Sequence, residues 1–269
     1  LSIKSRNTIG ALQWTTDLNV ARNYNELVNI GEYTPDAVSG GTNDSRVIVG
    51  RPVGSFFLVE HSHIDPENGL PVYLDLNGEE TYDYNNDIRK YVGDGLPDFI
   101  GGINNTFKYK NWDLSALATF SIGAKIFDSS AKRQLGVVTG WNMRTEKLDR
   151  WRQPGDEATY PRLTLDETTY SLPSGFPWWN TSLFIYDASY LRLRNLTIGY
   201  NLPLDPASTL QNFRIAINAT NLLTITNFPG LDPEVVRDFE NAQDRNMSPN
   251  VTYLTPPQER AFTLSVSTN

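Results

Sequence analysis

The terminal stretch Arg260-Ala-Phe-Thr-Leu-Ser-Val-Ser-Thr-Asn269 decides how the rest of the chain is read. Phe262, Leu264 and Val266 alternate with Thr263, Ser265 and Ser267, so an extended backbone has one apolar face and one hydroxyl face. A soluble sandwich would bury such an apolar face against a second sheet. A membrane barrel would turn it to lipid and line a lumen with the small polar face.

The same period recurs upstream. Residues 213–223 set Phe213, Ile215, Ile217 and Ala219 against Arg214, Ala216, Asn218 and Thr220. Residues 190–202 change phase: Leu191 and Leu193 precede a shift near Arg194-Asn195, after which Leu196, Ile198 and Tyr200 take up the pattern, which predicts a bulge. Leu114, Ala116, Ala118, Phe120 and Ile122 oppose Asp113, Ser115, Thr119 and Ser121, and Lys110-Asn111 turns the chain into this strand from residues 103–109. Two further strands are predicted over 47–60, kinked by Gly50, Pro52 and Gly54, and over 8–20, with Leu12, Trp14, Leu18 and Val20 against Gln13, Thr15, Asp17 and Asn19. No long segment has a 3.6-residue period, so the chain is predicted all-β and antiparallel, with about seven strands.

Composition narrows the surroundings. The 269 residues carry a net charge of −8, which disfavours nucleic acid as a partner. Without cysteine there are no disulfides or thiolate metal sites. No run approaches the roughly 18 apolar residues of a membrane helix, but barrel strands need only about 9–11 residues, half of them polar. The start at Leu1, with no leader-like segment, reads as a fragment or processed piece. From the C-terminus backwards, the connections run long, short, very long, a two-residue turn, long, then moderate. That alternation suits a meander with tight turns at one rim and elaborate loops at the other, and 23–46 is its one misfit.

Several segments together resemble the C-terminal third of SusC/RagA-type TonB-dependent outer-membrane transporters of Bacteroidetes. The longest are Asp187-Ala-Ser-Tyr-Leu-Arg-Leu-Arg-Asn-Leu-Thr-Ile-Gly-Tyr-Asn-Leu-Pro203 and Arg150-Trp-Arg-Gln-Pro-Gly-Asp156 followed by Tyr160-Pro-Arg162. Supporting matches are Gly50-Arg-Pro-Val-Gly-Ser-Phe-Phe57, Asp75-Leu-Asn-Gly78, Gly101-Gly-Ile-Asn-Asn-Thr-Phe-Lys-Tyr-Lys-Asn-Trp-Asp-Leu-Ser115, Asn221-Leu-Leu-Thr-Ile-Thr226 and Gly230-Leu-Asp-Pro-Glu234. The resemblance implies that residues 1–269 are the last strands and long extracellular loops of a barrel of about 22 strands. The plug and earlier strands would lie outside the sequence, and Asn269 stops one position short of the family's aromatic terminus. It further implies import of oligomeric nutrients, glycans or peptides, with a SusD-like surface lipoprotein as lid and energy from TonB through the plug. No catalytic activity and no cofactor are implied.

Candidate site residues follow from both readings. Trp141 and Trp178-Trp179, in the longest predicted extracellular loop, offer indole faces for a sugar or a partner, or pack the loop on itself. Trp151 lies in the same loop, inside a family motif that reads as structural. Asp17, Asn19, Ser115, Thr119, Arg192, Arg194, Arg214 and Asn218 are predicted to face the lumen, where Arg192 and Arg194 either guide an anionic substrate or, the preferred reading, pair with plug carboxylates. Asp75-Leu-Asn-Gly78 lacks the spacing of a calcium loop and reads as an Asx turn. His61 and His63 form too small a set for a metal unless a carboxylate such as Asp65 joins them. No nucleophile elbow or phosphate loop is present. The rival readings are a siderophore or cobalamin receptor, a soluble β-sandwich carbohydrate-binding module, and a glycosidase with two carboxylates in one cleft.

Overall fold

The computed structural model describes residues 1–34, 39–40, 44–135, 142–164, 180–205, 212–237 and 246–268. Seven strands form one sheet in which each pairs antiparallel with its chain neighbours: β1 (Ser2–Ile9), β2 (Leu12–Ala21), β3 (Phe99–Tyr109), β4 (Trp112–Ile122), β5 (Tyr190–Asn201), β6 (Phe213–Thr226) and β7 (Ala261–Thr268). The connections alternate without exception. Gly10-Ala11, Lys110-Asn111 and 202–212 join strands at one end, while 22–98, 123–189 and 227–260 join them at the other.

Two of the sequence expectations are corrected. Residues 47–60 are not a strand of this sheet: Ser55–Leu58 is extended there, paired with Ser45–Arg46 and Lys90–Asp94 in a small separate sheet, and Glu60 opens another short strand, Glu60–Ile64. Gly50 and Gly54, at φ +80° and +83°, break the run where Pro52 also interrupts it. The vacant place belongs to Ser2–Ile9, and the predicted strand over 8–20 ran through the hairpin turn at Gly10-Ala11. The 23–46 stretch is therefore part of a long connection, and its misfit disappears.

The register puts the apolar set on one face. Trp14, Phe107, Leu114, Ile198, Ile217 and Leu264 are successive cross-strand neighbours, as are Leu12, Tyr109, Trp112, Tyr200, Ile215 and Val266 one row nearer the short turns. The β5 pairings slip between Leu193 and Asn195, which brings Leu191 and Leu193 onto the same face as Leu196 and Ile198. This face stays open: Ile217 is 55%, Leu264 69% and Phe262 67% exposed. Among the described residues no second sheet covers it.

The compact core lies elsewhere. The three long connections fold together at the far rim around Phe56, Leu58, Tyr73, Phe127, Phe184 and Val251, all at most 1% exposed. Lys125–Asp128 of the second connection pairs in parallel with Val251–Thr252 of the third and antiparallel with Ile185–Asp187. The motif at 150–156 docks on the 65–70 turn of the first connection. Trp151 Nε1 donates to Pro66 O at 2.7 Å, and its ring lies where a Cβ on Gly69 would be, 2.5 Å away. That use of Trp151 is structural.

Candidate functional site

The other face of the sheet is polar, and it gathers the eight non-aromatic candidates. Asp17, Asn104, Leu117 and Asn195 form one cross-strand row; Asn19, Gly102, Thr119 and Arg192 form the next toward the rim. Thr15, Thr106, Ser115, Thr197, Asn218 and Thr263 form a third toward the short turns, and Arg214 lies opposite Asn201 at that end. Arg194 occupies the β5 bulge, beside Asn221, which adopts φ +51° in β6. Trp141, Trp178 and Trp179 lie outside the described residues.

Ion pairs organise this face. Arg192, 2% exposed, donates from Nη2 to Asp232 Oδ1 at 2.5 Å and holds Nη1 3.0 Å from Glu234 Oε2. Arg194 grips both Glu234 oxygens, at 2.5 and 2.6 Å, and Gln258 Oε1 at 2.7 Å. Asp232 also accepts from the backbone N–H groups of Glu234 and Gln258, both at 3.0 Å. Burial alone would raise the Asp232 carboxyl, but the Arg192 guanidinium and the two N–H donors outweigh it and hold it below the usual carboxylate value. Pairing with a plug was expected for these arginines. Instead their carboxylates come from the chain itself, because the 227–260 connection folds back over the polar face. The sequence signal was present in Gly230-Leu-Asp-Pro-Glu234, quoted for its resemblance but given no role.

Beside this network is an open hollow of about 390 Å³, bordered by Asn19, Thr119, Ser121, Tyr190, Arg194 and Glu234. The Thr119 hydroxyl and Arg192 Nε are buried there without a hydrogen-bond partner among the described residues. The hollow offers hydroxyl, amide and guanidinium groups, and its Glu234 carboxylate is bound to two arginines. Such a set recognises polar groups by hydrogen bonding.

The candidate metal positions are otherwise employed. Asp75 Oδ1 accepts from the N–H groups of Asn77 and Glu79, both at 2.8 Å, which is an Asx turn. The strand pairing slips between His61 and His63. The His61 ring packs edge-on to Tyr73, and burial holds its pKa down at about 4, while His63 is exposed 3.4 Å from Glu80. Among the described residues no three His, Cys, Asp or Glu side chains converge as metal ligands. No helix is long and apolar enough to cross a membrane, which leaves crossing by strands untouched.

An antiparallel meander with an open apolar face, a charged polar face and loops massed at one rim defines a portion of a β-barrel wall. In the structure titled as the RagAB peptide transporter, the matching chain superposes on 98% of this one with a TM-score of 0.76 at 20% identity, over 28% of its own length. The RagAB peptide importer in the closed-closed state gives a TM-score of 0.73 at 20% identity, again over 98% of this chain and 28% of its own. TonB-dependent receptor P3 of Formosa agariphila is 31% identical over 99% of the chain and 28% of its own length. TonB-dependent receptor SusC of Bacteroides thetaiotaomicron is 25% identical over 82% of the chain and 22% of its own length. No family model matches the chain. The chain belongs to the TonB-dependent receptors. It spans about a quarter of the length of the curated relatives it matches. These relatives are named as receptors, and the solved structures as a transporter, not as enzymes.

Proposed function

We propose that residues 1–269 form the C-terminal strands of an outer-membrane barrel that imports oligomeric nutrients, glycans or peptides, with energy from TonB and a SusD-like lipoprotein over the rim. The observation that carries this reading is the open apolar face, whose Ile217, Leu264 and Val266 stand 55–69% exposed on a well-paired sheet. Water would penalise such a surface, and lipid would not. On this reading the polar face, with Asp17, Asn19, Ser115, Thr119, Arg192, Arg194, Arg214 and Asn218, is the lumen wall. The names SusC and RagAB among the relatives favour an oligomer importer over a siderophore or cobalamin receptor. The uncovered face counts against a sandwich module, which would bury it.

Purification from detergent-extracted outer membrane, followed by mass spectrometry of all that accompanies the chain, tests the proposal. The expected result is a membrane-embedded transporter with a large lipoprotein partner. Recovery of this chain as a free water-soluble species would overturn it.

A further inference from the structure

Six cations share the polar face of the sheet: Lys4, Arg6, Lys108, Arg192, Arg194 and Arg214. Four of them have carboxylate partners. Lys4 lies 3.4 Å from Asp17, Arg192 pairs with Asp232 and Glu234, Arg194 with Glu234, and Arg214 with Asp113. Arg6 and Lys108 have none among the described residues.

The reason Lys108 lacks one is specific. Its cross-strand neighbour on β4 is Asp113, close enough in register to pair. Asp113 turns the other way and accepts from Arg214 Nη2 at 2.5 Å. That reach, from β6 over β5 to β4, is open because residue 199 is glycine: a Cβ there would stand 2.1 Å from Arg214 Nη2. The diverted carboxylate leaves Lys108 without a carboxylate partner among the described residues, on the wall of an open hollow of about 460 Å³ that Arg6 also lines, with Gln13, Thr15 and Thr106 as its hydrogen-bonding lining. Two cations thus line one hollow in a chain that as a whole is acidic.

We propose that this hollow, near the short-turn end of the polar face, is an anion subsite in which Arg6 and Lys108 hold a carboxylate or sulfate group. Resting on the lumen reading above, it marks the cargo as an anionic oligomer, an acidic peptide or an acidic or sulfated glycan. The same chemistry can be supplied by an acidic side chain of another segment of the transporter filling the lumen.

The whole transporter, purified with its partner, is the material for the test. Binding of oligoglutamate and oligogalacturonate is compared with their neutral counterparts, oligoglutamine and oligogalactose. Wild type is expected to bind the anionic member of a pair about tenfold more tightly. The preference should vanish in the double variant Arg6→Gln/Lys108→Gln and persist in Arg6→Lys/Lys108→Arg. Gly199→Ala should also weaken it, since displaced Arg214 releases Asp113 to neutralise Lys108 while neither subsite cation is touched. If wild type shows no preference but the double Gln variant melts lower and the charge-keeping variant does not, the anion belongs to the transporter itself and the subsite stands. Unchanged preference and unchanged melting overturn it. Import of neutral oligomers with neither effect overturns the subsite alone, whereas a complex that binds no oligomer yet still shows the melting effect overturns the transport reading alone.

Discussion

The sheet and the rim of this chain solve opposite problems with similar residues. In the rim, Phe56, Leu58, Phe127 and Val251 are at most 1% exposed and belong to one cluster built from all three connections. In the sheet, Leu264 and Phe262 are more than 65% exposed, and hydroxyls and ion pairs occupy the opposite face. The rim is assembled as proteins in water are, with apolar groups gathered inward. The sheet's strands are held by their backbone ladders and leave their apolar groups for an external apolar solvent. One chain therefore contains two kinds of core, and the same substitution should have different consequences in each.

The largest expected effect tests that directly. Leu58→Ala opens a cavity among packed neighbours in the rim and should cost about 3–5 kcal/mol. Leu264→Ala on the sheet loses only transfer from water, since lipid flows into the space, and should cost about 1–2 kcal/mol. Unfolding in detergent micelles, read by proteolysis of the rim and by heat-dependent mobility of the barrel, separates the two. Equal costs would break the comparison.

The next effect sharpens it within a single strand. Ala118 lies on the apolar face, and Ala118→Arg should cost about 2–4 kcal/mol near the bilayer midplane. Leu117, its neighbour, faces the polar side between Asn104 and Asn195, with Asp17 in the same row. Leu117→Arg should assemble at near wild-type levels, although it replaces the more apolar residue. Outer-membrane yields of the two variants give the answer, and equal tolerance would contradict the facing.

The third effect belongs to the rim alone. Lys147 is 4% exposed, its ammonium held by Leu135 O at 2.6 Å and Pro161 O at 3.3 Å, with no carboxylate against it among the described residues. Burial, with Arg150 nearby, pushes its pKa from 10.5 down to about 7. The folded rim therefore sheds a proton near pH 7 that the unfolded chain keeps until about pH 10.5, so stability should rise across that interval. Below pH 7 both states carry the proton and this contribution is flat. Lys147→Met should lose the slope between pH 7 and 10.5, measured by rim melting, while leaving barrel melting alone.

Much of the sheet was legible because a half-buried strand writes its environment every second residue. Six of the seven strands stood out this way, the one over 8–20 overrunning its turn, and so did the phase shift at Arg194-Asn195. Ser2–Ile9 was missed because Ser5 and Asn7 interrupt its apolar face. There Ser5, Asn7, Thr16 and Asn105 form a hydrogen-bonded chain that takes the place of apolar contacts. The 47–60 run was misplaced because Phe56 and Leu58 are rim core, and alternation alone cannot tell a long sheet from a small one. The rim itself was illegible, since its contacts join residues such as Trp151 and Pro66 that no periodicity connects. Of the site, the facing of the polar residues could be read, but not the carboxylates that answer Arg192 and Arg194, because they arrive from a loop.

The smallest expected effect lies at the turn end, where the sheet depends on local geometry instead of packing. Lys110 adopts φ +52° between β3 and β4, a left-handed conformation that disfavours a side chain with a Cβ. Lys110→Gly removes that strain but gives the unfolded chain more freedom, and the two nearly offset. A net gain of about 0.5 kcal/mol is expected, because the strain of a non-glycine residue there is about 1–2 kcal/mol and the added entropy costs somewhat less. The hairpin pairs in unbroken register from Tyr109–Trp112 to Phe99–Ile122, so the gain should appear as faster barrel assembly in detergent with unchanged rim melting. A loss of stability would mean that the Lys110 side chain, 5.4 Å from the Tyr109 ring, contributes more than the strain costs.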